Sequence, residues 1–217
     1  MSAMPALLAV IHAVGLLTCF ALLGTSRIGA CIRFLSIQGI LFSLVPVIAH
    51  DDGLTLRVLL LAGANIGLKG VIFPAVLLHL RARAGFHREV EPFVGFVASI
   101  LFGIVALIVS LALARELHPS LSHASFVMLQ AAIFLVAIGL FMIVSRRNAL
   151  IQIVGYLVIE NGIFVLGAIT VVETPLLVEL GILLDAFVAV FVMGIAVFHI
   201  SREFGMADAD RLNTLRG

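Results

Sequence analysis

Four ionisable side chains stand inside stretches that are otherwise apolar, and they are where chemistry is to be sought. Glu160 lies near the midpoint of the run 149–172. Lys69, the only lysine of the chain, lies in the middle of 54–80. Asp185 lies well inside 175–200, and Glu179 lies nearer that run's outer end. A charge at mid-membrane depth costs about 2.5–3.5 kcal/mol on insertion scales. Such residues usually pair with one another, face the protein interior and mark a path for ions or protons. The chemistry they can do is therefore to hold and pass a charge. Polar side chains support them at helical spacing. Gln152 and Tyr156 precede Glu160 by eight and four residues, on one face of a helix. Asn65 precedes Lys69 by four. Pro74 follows Lys69 by five, and it removes the hydrogen bond to the Gly70 carbonyl, so a kink or local unwinding is expected beside the charge.

The elements that must position these residues are membrane spans. The chain of 217 residues is 63% hydrophobic and only 12% charged, against about 25% in soluble domains. Hydropathy gives an all-α, polytopic bundle of about seven transmembrane helices, near 4–24, 28–49, 54–80, 93–114, 123–145, 149–172 and 175–200. Arginines test the count. Ten fall on one side (Arg27, Arg33, Arg81, Arg83, Arg88, Arg146, Arg147, Arg202, Arg211, Arg216) and two on the other (Arg57, Arg115). The positive-inside rule then places the N-terminus outside and the C-terminus in the cytoplasm, as expected for a multi-pass protein of the cell's inner (cytoplasmic) membrane. No positive n-region precedes the first apolar run, which argues for a retained first helix. Cys19 and Cys31 form no Cys-x-x-Cys or Cys/His cluster, so no metal or iron–sulfur site is expected in this chain. Basic patches for nucleic acid are absent. The seven histidines are scattered through loops and span ends, and Gln130 is positioned to bond across helices.

A weak repeat organises the spans. Leu35-Ser-Ile-Gln38-Gly-Ile-Leu-Phe42 aligns with Leu157-Val-Ile-Glu160-Asn-Gly-Ile-Phe164. The next helix of each half carries its own mid-span charge, Lys69 or Asp185. The expected organisation is a first three-helix unit (1–92), a linking helix and loop (93–122), and a second three-helix unit with a cytoplasmic tail (123–217). By position count, Gln38, Lys69, Glu160 and Asp185 lie in one plane halfway through the membrane. A midplane row fits lateral charge transfer better than a vertical channel.

The run Ser145-Arg-Arg-Asn-Ala-Leu-Ile-Gln-Ile-Val-Gly-Tyr-Leu-Val-Ile-Glu160-Asn-Gly, the later Leu177-Val-Glu179-Leu-Gly-Ile-Leu-Leu-Asp185, and the ending Asn213-Thr-Leu-Arg-Gly217 resemble component E of hydrogenase-4. That family is similar to the K subunit of complex I and to the C subunit of multisubunit cation/proton antiporters. The resemblance implies that the last three helices are the K-like unit. Glu160 then matches that unit's mid-membrane glutamate, Asp185 approximates a later acidic position, and Gln38 marks a degenerate first copy. It implies a membrane-arm subunit of a group 4 nickel–iron hydrogenase complex of the formate hydrogenlyase type, with no active site of its own. The nickel–iron centre and iron–sulfur clusters would belong to partner subunits, and the membrane partners would be antiporter-like and quinone-site-like subunits. Two other readings of the same residues stay open: a structural scaffold in which the charges merely pair, and an independent secondary transporter.

Overall fold

The structure, a computed structural model, describes residues 3–49, 56–83, 93–117 and 123–170. These residues are almost entirely helical. The order is α1 (Ala3–Gly24), α2 (Ile28–Ser43), short α3 (Val45–Ala49), α4 (Leu56–Asn65), a π-helical segment (Ile66–Ile72), α5 (Phe73–Arg83), α6 (Phe96–Leu117), α7 (His123–Ser145) and α8 (Ala149–Thr170). Together they make six stretches long and apolar enough to cross a membrane. The expected seventh span, with Glu179 and Asp185, lies outside the described residues.

Two of the spans are not the simple helices that hydropathy predicts, and proline accounts for both. The second span breaks at Leu44, between α2 and α3. Pro46 has no N–H to offer the Phe42 carbonyl, and the Leu44 N–H turns to Leu41 and Phe42 instead. In the third span the irregularity expected near Pro74 takes the form of a π-helix rather than a break. There the Phe73 N–H reaches back five residues to the Leu68 carbonyl.

Contacts at one end of the bundle fix the direction of the helices. The Arg146 side chain meets the Leu23 carbonyl, the Arg81 guanidinium covers Gly29, and the Phe93 N–H donates to the Ser145 carbonyl. So α1, α5 and α7 end where α2, α6 and α8 begin, and each set runs opposite to the other. Arg27, Arg33, Arg81, Arg83, Arg146 and Arg147 belong to this end, while Arg57 and Arg115 belong to helix ends on the other side.

The middle of the bundle is α7 against α8. A Cβ on Gly139 would lie 2.5 Å from the Gly155 carbonyl oxygen, and one on Gly155 would lie 2.9 Å from that of Gly139. Glycine at both positions lets the two backbones touch, which is how helices gain dispersion contact in a solvent as apolar as themselves. Around this pair Leu22, Leu23, Ile32, Phe134, Ile138, Met142, Val154 and Val158 form the apolar core. Helix α6 is peripheral. It buries a line of small residues (Ser99, Gly103, Ala106, Ser110, Ala114) and exposes large ones such as Val97, Leu101 and Ile108. It is tied inward by the Gln130 amide, which donates to the Ser110 hydroxyl at 3.2 Å. This is the cross-helix bond foreseen for Gln130.

Candidate functional site

The site begins with two residues, each brought in by its own element. Helix α8 starts cleanly because Asn148 caps it: its side-chain oxygen accepts from the Leu150 N–H at 2.9 Å. Three turns further on, Glu160 is buried, 4% exposed. The π-helical segment presents Lys69, equally buried. Lys69 Nζ lies 2.9 Å from Glu160 Oε1. The ammonium also sits 4.5 Å from the centroid of the Phe164 ring, one turn beyond Glu160 on the same helix. The second carboxylate oxygen, Oε2, has no hydrogen-bond partner among the described residues. A small cavity of about 10 Å³, roughly enough for one water, lies beside the pair, lined by Leu35, Lys69, Phe73, Leu157, Glu160 and Asn161.

Helix α2 runs between these two elements and supports both. A Cβ on Gly39 would lie 2.8 Å from Lys69 Cβ, so the absence of a side chain there lets the lysine pass α2 on its way to α8. The Ser36 hydroxyl donates to the Gly70 carbonyl at 2.7 Å. That carbonyl is the one Pro74 leaves without its α-helical donor. On the next face of α2, Gln38 is fully buried. Its amide nitrogen donates to Thr18 Oγ1 at 3.1 Å and to Cys19 Sγ at 3.3 Å. Its oxygen accepts from Asn161 Nδ2 at 3.4 Å. The Thr18 hydroxyl in turn donates a hydrogen bond to the Gly15 carbonyl at 2.7 Å. A continuous polar chain therefore runs from α1 through α2 to α8, ending one residue from Glu160.

The other residues singled out from the sequence are distributed as follows. Asn65 is buried at the start of the π-helical segment, a turn before Lys69. Tyr156 is half-buried on α8. Gln152 is spent elsewhere, since its amide donates to the Arg146 carbonyl at 2.9 Å at the basic end. Glu160, Lys69 and Gln38 thus share one level of the bundle. Asp185 and Glu179 lie outside the described residues. Sequence reasoning missed Asn161, Thr18 and Ser36. The signal for Ser36 was present in Pro74, because a freed carbonyl inside a membrane must find a donor.

Sequence reasoning also counted Arg146 as one more arginine of a cytoplasmic loop. The structure buries it, 1% exposed. Its Nη2 donates to the Leu23 carbonyl at 2.8 Å, and its guanidinium lies 5.3 Å from the Phe96 ring centroid. Burial pulls its pKa below the usual value, with nearby Cys31 partly opposing that shift; an arginine remains charged all the same. No group of three or more potential metal ligands occurs among the described residues.

Comparison with known proteins places this geometry. Residues 127–217 match the NADH-ubiquinone/plastoquinone oxidoreductase chain 4L family. The protein Rv0085 of Mycobacterium tuberculosis, itself uncharacterized, is 30% identical over 191 residues, covering 86% of each chain. Hydrogenase-4 component E of Escherichia coli K12 is 39% identical over 118 residues, which is 54% of this chain and 51% of that protein. Component E of Shigella flexneri matches equally. The chain is thus homologous to hydrogenase-4 component E over about half of its length, and to chain 4L in its C-terminal part. Its aligned part spans about half the length of the component E proteins it matches. No solved structure matches it. Against these matches the ion pair has a particular position. Glu160 falls inside the chain 4L region, while Lys69 and Gln38 precede it. The pair therefore joins the chain 4L part to the part of the chain that comes before it.

Proposed function

We propose that this protein is a non-catalytic membrane-arm subunit of a complex I-like hydrogenase, of the formate hydrogenlyase type, which passes protons laterally through its buried charges. The observation that carries this reading is the Lys69–Glu160 pair, 2.9 Å apart, buried mid-span and one residue from a polar chain that crosses three helices. A membrane protein that needed only packing would fill these positions with apolar groups, because a buried ion pair seldom adds net stability. The redox chemistry would occur in partner subunits carrying the nickel–iron centre and iron–sulfur clusters. The membrane neighbours would be antiporter-like and quinone-site-like subunits. Asp185 and Glu179, in the apolar run 175–200, would extend the charged row. The weak repeat supports a division into 1–92, a linker at 93–122 and 123–217. The arginine-rich end of the bundle supports a cytoplasmic C-terminus in an inner membrane.

The test is ion pumping by the assembled complex in inverted vesicles, Glu160→Gln against wild type, once assembly of the variant is verified. If electron transfer continues while the proton or sodium gradient collapses, Glu160 is in the transfer path. If both are unchanged, the pair is a strut. That second reading has its own support, since Lys69 and Glu160 already satisfy each other's charge.

A further inference from the structure

The lysine reaches its carboxylate only because the helix that carries it is irregular at that point, and an irregular helix inside a membrane must be held. Pro74 has no N–H, so the Gly70 carbonyl, next to Lys69 in the chain, loses its α-helical donor. In the bilayer water does not replace that donor, and the carbonyl must be satisfied by protein. Ser36 of α2 satisfies it at 2.7 Å. The crossing is tight on both sides of this bond. Gly39 lies under Lys69, and a Cβ on Gly70 would come within 2.6 Å of Ile40 Cγ1. Ser36, Gly39 and Ile40 are one face of α2 at i, i+3 and i+4. That face contacts the π-helical segment at Lys69 and Gly70, and the hydroxyl at position 36 is spent on this contact.

We infer that Ser36 is the positioning residue for Lys69: its hydroxyl holds the π-helical segment in the register that delivers the ammonium to Glu160. This builds on the ion-transfer reading of the pair, but the geometry it claims can be tested without transport. Removing the hydroxyl takes away the side-chain donor of the half-buried Gly70 carbonyl. The segment then rearranges to find one, and Lys69 leaves Glu160 for part of the time.

Lys69 is the only lysine in the chain, so its reactivity can be read without ambiguity. The experiment is acetylation of the full chain in native membranes with acetic anhydride, with mass spectrometry of the peptide carrying residue 69. N-Ethylmaleimide labelling of Cys19 and Cys31, both buried, is followed in parallel to report general loosening. In wild type Lys69 is protected. In Ser36→Ala its acetylation rises roughly tenfold, as expected for the loss of one hydrogen bond to a half-buried carbonyl, while both cysteines stay protected. Ser36→Thr, which keeps the hydroxyl, behaves as wild type. The inference is overturned if Lys69 in Ser36→Ala is as protected as in wild type, or if Cys19 becomes reactive in step with it. The labelling reads the geometry of the pair and the vesicle assay on Glu160→Gln reads transfer, so each can fail without the other.

Discussion

Lys69 and Glu160 should be energetically worth little together and costly apart. At 2.9 Å their Coulomb attraction is about 6 kcal/mol for an effective dielectric of about 20. Desolvation removes several kcal/mol per ion, so the intact pair sits near break-even. Deleting one partner keeps the desolvation of the other and loses the attraction. Each single substitution, Lys69→Met or Glu160→Gln, is therefore expected to cost about 3–5 kcal/mol. The Lys69 variant also gives up the Phe164 contact, up to about 2 kcal/mol when desolvated. The double variant removes both charges of the pair and should lie within about 2 kcal/mol of wild type, the remainder being mostly that lost ring contact. A double-mutant cycle on the detergent-solubilised chain measures this, with unfolding followed by circular dichroism and the four proteins compared at one temperature. The expected coupling is at least about 3 kcal/mol. If the two losses simply add, leaving a coupling under about 0.5 kcal/mol, the residues do not depend on each other and the site as described here is wrong.

Two further substitutions test how the site is held. Arg146→Met leaves the Leu23 carbonyl without its charged donor and removes the stack on Phe96; a loss of about 2–4 kcal/mol is expected in the same unfolding assay, and an unchanged midpoint would mean that the basic end is not held by this residue. Gly155→Val places a branched side chain where even a Cβ would meet the Gly139 carbonyl at 2.9 Å; it should cost about 1–3 kcal/mol or more by overpacking, and wild-type stability would show that α7 and α8 are not in backbone contact.

How legible all this was in the sequence depends on how unusual each residue is for its surroundings. Glu160 and Lys69 stand out because charges are rare inside apolar runs, and their opposite signs with matching depth already point to each other. Six of the expected spans follow from composition alone and are present among the described residues. What composition does not carry is the role of small neutral groups. Serine, threonine and asparagine are ordinary in membrane helices, so Ser36, Thr18 and Asn161 gain meaning only from a partner on another helix. Gln152 shows the same limit from the other side. Its spacing from Glu160 put it on the charged stripe, yet the open end of α7 lay closer and took its amide. Arg146 was read by the statistics of loops, where arginines face water. Its burial depends on the α1 terminus lying across the α7–α8 turn, which is a tertiary fact.

The placement of the pair bears on why a chain 4L-like region should be preceded by four more membrane spans. Within the chain 4L match, the described charge at mid-span is Glu160, a lone carboxylate whose burial needs a counter-charge or a proton. The preceding helices supply a lysine on a segment that is irregular by composition, since Pro74 and Gly70 both weaken its α-helix. Under the proposed ion-transfer role, a cation on an irregular segment differs from one on a rigid helix: a change of register there would release the carboxylate that the cation neutralises, which is the minimum a charge-transfer step requires of a protein. A rigid strut needs no such segment, and Pro74 at that point would only weaken it. The irregular third span is thus evidence of the same kind as the buried charge, and the two meet at Lys69.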